Sequence, residues 1–471
     1  MIDLAKSAMR ARRDRPKLDP CRLGRTLLAL LLCVPPAYAA QNVPPPPQDG
    51  PLLITGATLH TVSGPVIENG RMLIDRGRIV AVVGPNEPLS APALSRAQTL
   101  DLKGRHVYPG FIAANSALGL VEVIAVRATT DTAETGAINP GSRALVAINA
   151  DSELLPVARA NGVLAALAVP RATPTGLIAG TSSVIQLDGW NWEEMGIAPA
   201  VGLHVRLPSL RLNRELYPPP LDLRLEELRK FTAQRLRMLE DAFDAAQAYR
   251  RARAGDPGLP LDSRWEAVLP VLEGQRPVFM HANELPQIRY ALGFAERYGV
   301  RLVIVGGDDA WRIADVLRER RVPVIVTGVH ALPQRRGEDY DTQFRLPARL
   351  AAAGVTFCIA RGGSEFDAPR ERNLPYVAAT AVAHGLPREQ ALRAITLYPA
   401  QILGVADQLG SLAPGRLASF FVADGDPLEV TTRIERVFIQ GREVDLSNRQ
   451  TRLNDKYEQR YRQRGAQKAA Q

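Results

Sequence analysis

Whatever chemistry this chain performs must be carried by a few side chains at the ends of apolar runs, because it holds only six His and three Cys. His281 closes the run Val278-Phe-Met-His-Ala-Asn283. That is a strand terminus, where barrel enzymes place functional groups, and a hydrogen-bonded core histidine is the competing reading. Asn283 and Glu284 come next and serve equally as capping residues for a helix starting near Leu285, with Pro286 in its first turn. Asp308 and Asp309 follow Val303-Ile-Val-Gly-Gly307 and are either site carboxylates or charges at a helix N-terminus. Glu122, in Leu120-Val-Glu-Val123, is a candidate carboxylate ligand or a solvated loop charge. His330 follows the run Val322–Thr327 and could reach the same end of the fold, whereas His384 sits near the end of a helical segment. Cys358 lies in the apolar run Val355–Ala360, which suits a buried thiol better than a nucleophile. No phosphate-binding glycine loop and no Gly-x-Ser-x-Gly elbow occurs, and Gly362-Gly-Ser364 is too generic to mark a nucleophile.

These residues need a scaffold, and the apolar runs supply one. Val107–Ala113, Gly162–Val169, Val201–Leu207, Pro277–His281, Arg301–Val305, Val322–Thr327 and Val355–Ala360 alternate, over their second half, with amphipathic segments. Runs apolar on both faces between helices imply parallel strands in βα units, and some eight of them fit a closed barrel better than an open sheet. Short strand-like tracts with glycine turns flank this region at both chain ends. The predicted fold is therefore α/β: a (β/α)8 TIM-type barrel over residues 107–410, with a small β-sandwich domain built from residues 51–106 and 411–446. Leu221–Ala254 reads as one long charged helix with a solvated face, and residues 447–471 as a polar C-terminal tail.

The net charge of +9 first suggests a polyanionic partner. Residues 1–39, however, hold eight Lys/Arg against three Asp, which leaves only +4 for the remainder. A basic stretch, the short apolar run Thr26–Val34 and the triplet Ala37-Tyr-Ala39 predict a secretory signal peptide cut after Ala39, followed by a Pro-rich spacer over 40–50. The expectation is an exported protein, periplasmic or secreted. It has no nucleic-acid partner, no integral membrane segment in the mature chain, and a small molecule as ligand or substrate; a homo-oligomer stays open.

The split β-region around a barrel, with Val107-Tyr-Pro-Gly-Phe-Ile112 entering the first barrel strand, resembles the amidohydrolase superfamily, nearest to its imidazolonepropionase-like branch. Gly176-Leu-Ile-Ala-Gly-Thr-Ser-Ser183, Ala391–Ala400 and Ile402–Gly415 carry the same likeness. The resemblance implies hydrolysis of carbon–nitrogen bonds other than peptide bonds, assisted by one or two divalent ions such as zinc at the barrel mouth. It also implies a His-x-His on the first strand, His on two later strands and Asp on the last. The matching positions here are Asn115 and Ala117, His281, the Gly306-Gly307 end of the next strand, and Arg361 or Gly362. Only His281 keeps a metal-ligand type, so zinc becomes doubtful. Arg361, a guanidinium where a carboxylate is expected, favours an anionic ligand. Arg361 and Glu122 are thus the catalytic candidates, and Asn115, His281, Asn283, Asp308 and Arg361 the ligand-binding ones. Two functions follow: a hydrolase with a rebuilt site, or a catalytically inactive descendant that binds a ligand or protein partner at the barrel mouth.

Overall fold

The computed structural model describes residues 43–210 and 221–469, so the leader read over residues 1–39 lies outside the described residues. Residues from Asn42 onward form one compact unit organised around two eight-stranded sheets.

The first sheet takes strands from both ends of the chain: β1 (Leu52–His60), β2 (Val66–Asp75), β3 (Arg78–Val83), β4 (Gln98–Asp101) and β5 (His106–Pro109), with β14 (Phe420–Ala423), β15 (Ile434–Ile439) and β16 (Arg442–Val444). Its order is β16-β15-β14-β5-β1-β2-β3. The long β1 pairs with β4 along its first half and with β5 along its second. Ile54, Leu59, Met72, Ile74, Phe420, Val422 and Phe438 form its own core, on the alternating face that half-buried strands require.

The second sheet is a nearly closed barrel in strict chain order: β6 (Phe111–Ser116), β7 (Val163–Ala168), β8 (Ile178–Gln186), β9 (Gly196–Arg206), β10 (Val278–Ala282), β11 (Leu302–Gly306), β12 (Val324–Val326) and β13 (Phe357–Ile359). Alternation along the strands separates two cores. Ile112, Val201, Phe279, Val303, Val305, Ile325 and Cys358 fill the interior, whereas Leu203, Val278, Met280, Leu302, Ile304 and Val324 pack outward. Both sets are apolar because helices cover the outer face, which is why these strands read as continuous apolar runs.

One strand departs from the expected pattern. β8 was not among the apolar runs, and it lies antiparallel to both β7 and β9. The links over 169–177 and 187–195 are too short for the crossover of about a dozen residues that a parallel pair needs.

The helices follow as α1 (Leu154–Arg159), α2 (Leu221–Gly255), α3 (Leu285–Tyr298), α4 (Ala314–Glu319), α5 (Leu346–Ala352), α6 (Leu374–Ala383), α7 (Arg388–Ala394), α8 (Leu397–Ile402) and α9 (Arg449–Ala469), with several shorter turns between them. The long α2 buries Leu239, Ala242, Phe243 and Ala246 at helical spacing and sets Phe243 edge-on to Phe294 of α3. α3 ends on Gly299, whose φ of 65° is the left-handed cap that glycine adopts without strain. Among the described residues no helix is long and apolar enough to cross a membrane.

The barrel seam lies between β13 and β6. It is spanned by Ile112 N–H donating to the Ile395 carbonyl at 2.9 Å. At the mouth, Asn115 Nδ2 donates to the Arg361 carbonyl at 3.0 Å. Asn115 therefore ties the first strand to the segment after the last.

Candidate functional site

A cavity of about 670 Å³ opens at the C-terminal ends of the barrel strands, the face on which barrel enzymes carry their chemistry. Its polar lining includes Asn115, Arg171, His204, Arg206, His281 and Asp308.

Two histidines meet there. β9 and β10 run parallel with Phe279 opposite His204 and His281 opposite Arg206. His204 Nδ1 and His281 Nε2 are 3.0 Å apart, and the His204 ring stacks on Phe279 at 4.7 Å between centroids. Burial, then the neighbouring His281, holds the His204 imidazole well below its ordinary value. Burial, then the charges of Arg206 and Arg171, pushes His281 down to about 3. Both rings are thus neutral near pH 7.

His204 Nε2 is buried without a partner. A buried lone pair costs less than an orphaned N–H, which favours the tautomer with His204 Nδ1–H donating to His281 Nε2. The proton of His281 then sits on Nδ1. That nitrogen has no partner among the described residues and is not buried, so it is available to the cavity that the ring lines.

Three guanidiniums share the cavity wall. Arg171 is anchored, donating from Nη1 to the Gly363 carbonyl at 2.7 Å and facing Glu365 at 3.8 Å. Arg235 lies over the Phe231 ring at 5.6 Å. Arg206, at the end of β9, is accessible to solvent, and its guanidinium makes no hydrogen bond or ion pair among the described residues. The carboxylates of the wall are Glu284 and Asp308. Glu284 is engaged by the Ser209 hydroxyl and by Leu210 N–H at 2.9 Å. Asp308 accepts from Gln334 Nε2 at 3.4 Å.

Glycines make room for these side chains. A Cβ on Gly306 would lie 1.9 Å from Asn283 Oδ1, one on Gly363 2.5 Å from Asn115 Nδ2, and one on Gly328 2.6 Å from Asp308 Oδ1. Asn283 therefore occupies the space in front of the β11 terminus, and no side chain fits at Gly306 while it does.

The candidates read from sequence separate accordingly. Asn115, His281, Asn283 and Asp308 converge on the cavity. Arg361 does not line it: its guanidinium faces Asp367 at 3.2 Å, and Asp367 is itself held by Ser364. Glu122 accepts from the Ser152 hydroxyl and from Glu153 N–H ahead of α1, which spends its carboxylate on local structure. Asp309 also works structurally, accepting from Leu285 N–H at 2.9 Å and pairing with Arg335. His330 contacts Thr380 Oγ1 at 2.8 Å, and His60 and His106 contact each other at 3.0 Å in the first sheet.

Four residues went unrecognised, three of them at the cavity. His204 was set aside because it lacked an expected position, and Arg206 and Arg171 sit in runs without a motif. Only the alternation His204-Val-Arg206 at a strand end, which puts both side chains on one face, could have pointed to the first two. Glu371 was missed as well. It is fully buried beside Ser116, and burial, opposed by Ser116 and the Arg361 charge, lifts its carboxyl to about 8.

The donor set among the described residues does not fit a divalent cation. Among the described residues no three His, Cys, Asp or Glu side chains converge. The His281 Nε2 lone pair is taken up by His204 Nδ1–H, His281 Nδ1 carries a proton, and the nearest charges, Arg206 and Arg171, repel a cation.

Comparison with known proteins places this geometry. Residues 299–444 match the family model described as the amidohydrolase family. Over 406 residues the chain is 23% identical to the amidohydrolase tasK of Hapsidospora irregularis, covering 79% of this chain and 39% of that protein. It is 35% identical over 121 residues to an adenine deaminase of Methanoculleus marisnigri, covering 26% of this chain and 23% of that protein. The chain thus spans well under half the length of both curated relatives. The crystal structure of an amidohydrolase from Thermotoga maritima MSB8 superposes with a TM-score of 0.73 at 26% identity, over 84% of this chain and 99% of that one.

Proposed function

We propose that this chain, which belongs to the amidohydrolase superfamily, hydrolyses a carbon–nitrogen bond of a small molecule held in the cavity at the barrel mouth. The observation that carries the reading is the convergence of His281 and Asp308 on a cavity of about 670 Å³, a size suited to a small substrate. His281 presents Nδ1–H to the substrate carbonyl, as a neutral imidazole that stabilises negative charge developing on oxygen. Asp308, the wall carboxylate on the β11 side, accepts a proton of the attacking water and returns it to the departing nitrogen as the tetrahedral intermediate collapses and the C–N bond breaks. His204 fixes the His281 tautomer through its Nδ1–H, the orienting task that a second group performs for a working histidine.

The replacement of expected ligand positions by Asn115, Ala117 and Gly306 supports a reaction carried by these side chains without a zinc ion. The leader-like residues 1–39 support an exported location, which fractionation of the native host would test. For the activity, the purified chain is assayed on lactams, imidazolones and N-acyl amino acids, with and without chelator. Chelator-resistant turnover lost in both His281→Gln and Asp308→Asn is the expected result. Turnover that needs added metal, or none on any substrate while ligands still bind, would overturn it, the latter favouring the inactive binding protein.

A further inference from the structure

We infer that Arg206 and Arg171 form a docking point for an oxyanion, a carboxylate or phosphate ester carried by the substrate; this rests on the reading of the cavity as a substrate site. Arg206 ends β9 beside His281, reaches the cavity, and its guanidinium has no hydrogen-bonding or ion-pairing partner among the described residues. Arg171 is held rigid by the Gly363 carbonyl and Glu365, so its guanidinium is pre-positioned. Glu365 is itself shared, accepting from Thr132 Oγ1 at 3.0 Å. Arg171 and Arg206 therefore share Glu365 beside neutral imidazoles, and neither guanidinium has a carboxylate to itself.

The placement of the pair adds a second argument. Arg171 and Arg206 line both the mouth cavity and an adjoining groove of about 600 Å³, so they stand where the two meet. That groove is walled by Thr130, Thr132 and Thr135 together with Arg127, Glu134 and Glu365, and Thr130 Oγ1 is buried without a partner among the described residues. Hydroxyls around a planar, forked cation suit an oxyanion, which accepts charge-assisted hydrogen bonds from guanidinium in pairs. Arg361, the cation that the sequence singled out, cannot serve, because Asp367 already neutralises it.

The site is tested by calorimetric titration of the full chain with probes that need no turnover: N-acetyl-L-alanine, its neutral C-terminal amide, and glycerol 3-phosphate. Binding of at least one anionic probe, not of the amide, is expected, and the tighter anion identifies the group as carboxylate or phosphate. Arg206→Gln should weaken that binding about 10- to 100-fold, the range for loss of a charge-assisted hydrogen bond, while Arg206→Lys recovers part of it. Arg388→Gln, on the far surface, should leave it unchanged. Unliganded melting temperatures confirm that each variant folds. Equal binding of amide and acid, no binding by either anion, or an unaltered affinity in Arg206→Gln would overturn the proposal. Because binding is read without hydrolysis, this site and the proposed activity can fail independently.

Discussion

Replacing Glu371 by Gln should make stability less dependent on pH, and the size of the effect follows from its surroundings. The carboxyl is fully buried, neither oxygen has a partner of good geometry, and its folded value lies at about 8. An unfolded glutamate titrates near 4.3. Because the folded state holds the proton more tightly, Glu371 favours folding most below its unfolded value, and that advantage fades as pH rises toward 8. Between pH 4.5 and pH 7 the unfolded carboxyl ionises while the folded one stays protonated. Over that interval the wild type should lose about 3 kcal/mol relative to Glu371→Gln, at roughly 1.4 kcal/mol per pH unit. Any fixed cost of burying the amide cancels when the two pH values are compared. Urea unfolding at pH 4.5, 5.5, 6.3 and 7, read by circular dichroism, measures the difference. A constant gap between the two proteins across that range would refute the argument that burial keeps this carboxyl protonated.

Gly306→Ala should destabilise the chain by about 2–4 kcal/mol, since it combines a φ of 105° with a Cβ 1.9 Å from Asn283 Oδ1. Adding Asn283→Ala should return part of that loss, and chemical denaturation of the two variants checks both numbers. Asn115→Ala should cost about 1 kcal/mol and raise hydrogen exchange at the seam between β6 and β13, because its side chain spans from β6 to the Arg361 carbonyl at the mouth. His281, held at about 3, contributes stability that is complete above its unfolded value and is lost as pH falls from 6.5 toward 3. By pH 5 that loss should reach about 2 kcal/mol, and melting curves of His281→Gln should lack this share of the acid sensitivity.

The barrel was legible in the sequence because its strands are buried on one face in the barrel interior and on the other by helices, leaving apolar runs such as Arg301–Val305 and Val322–Thr327. The same periodicity is blind to direction. β8 is buried along its whole length, yet nothing in Ile178–Gln186 marks it as antiparallel; the short links to β7 and β9 decide that. His281 could be found because it terminates a strand. Its partner could not, since His204 lies 77 residues away and the two meet only through the register of β9 against β10. Charge misled in a different way. Arg361 drew notice by position, but a counter-ion six residues on neutralises it, whereas the Arg206 guanidinium matters because no described carboxylate reaches it at ion-pair distance. Pairing of charges is a property of three-dimensional neighbours, and single positions do not carry it.

The central claim is that His281 and Asp308 hydrolyse a carbon–nitrogen bond without a metal ion. The most direct measurement is kcat/KM on N-acyl amino acids, lactams and imidazolones, made on protein stripped by chelator and again after zinc is restored. The account predicts the same turnover in both preparations, with His281→Gln and Asp308→Asn each lowering kcat by at least about 100-fold, as loss of an oxyanion donor or a general base does. Activity absent from stripped protein and regained in proportion to bound zinc would contradict it.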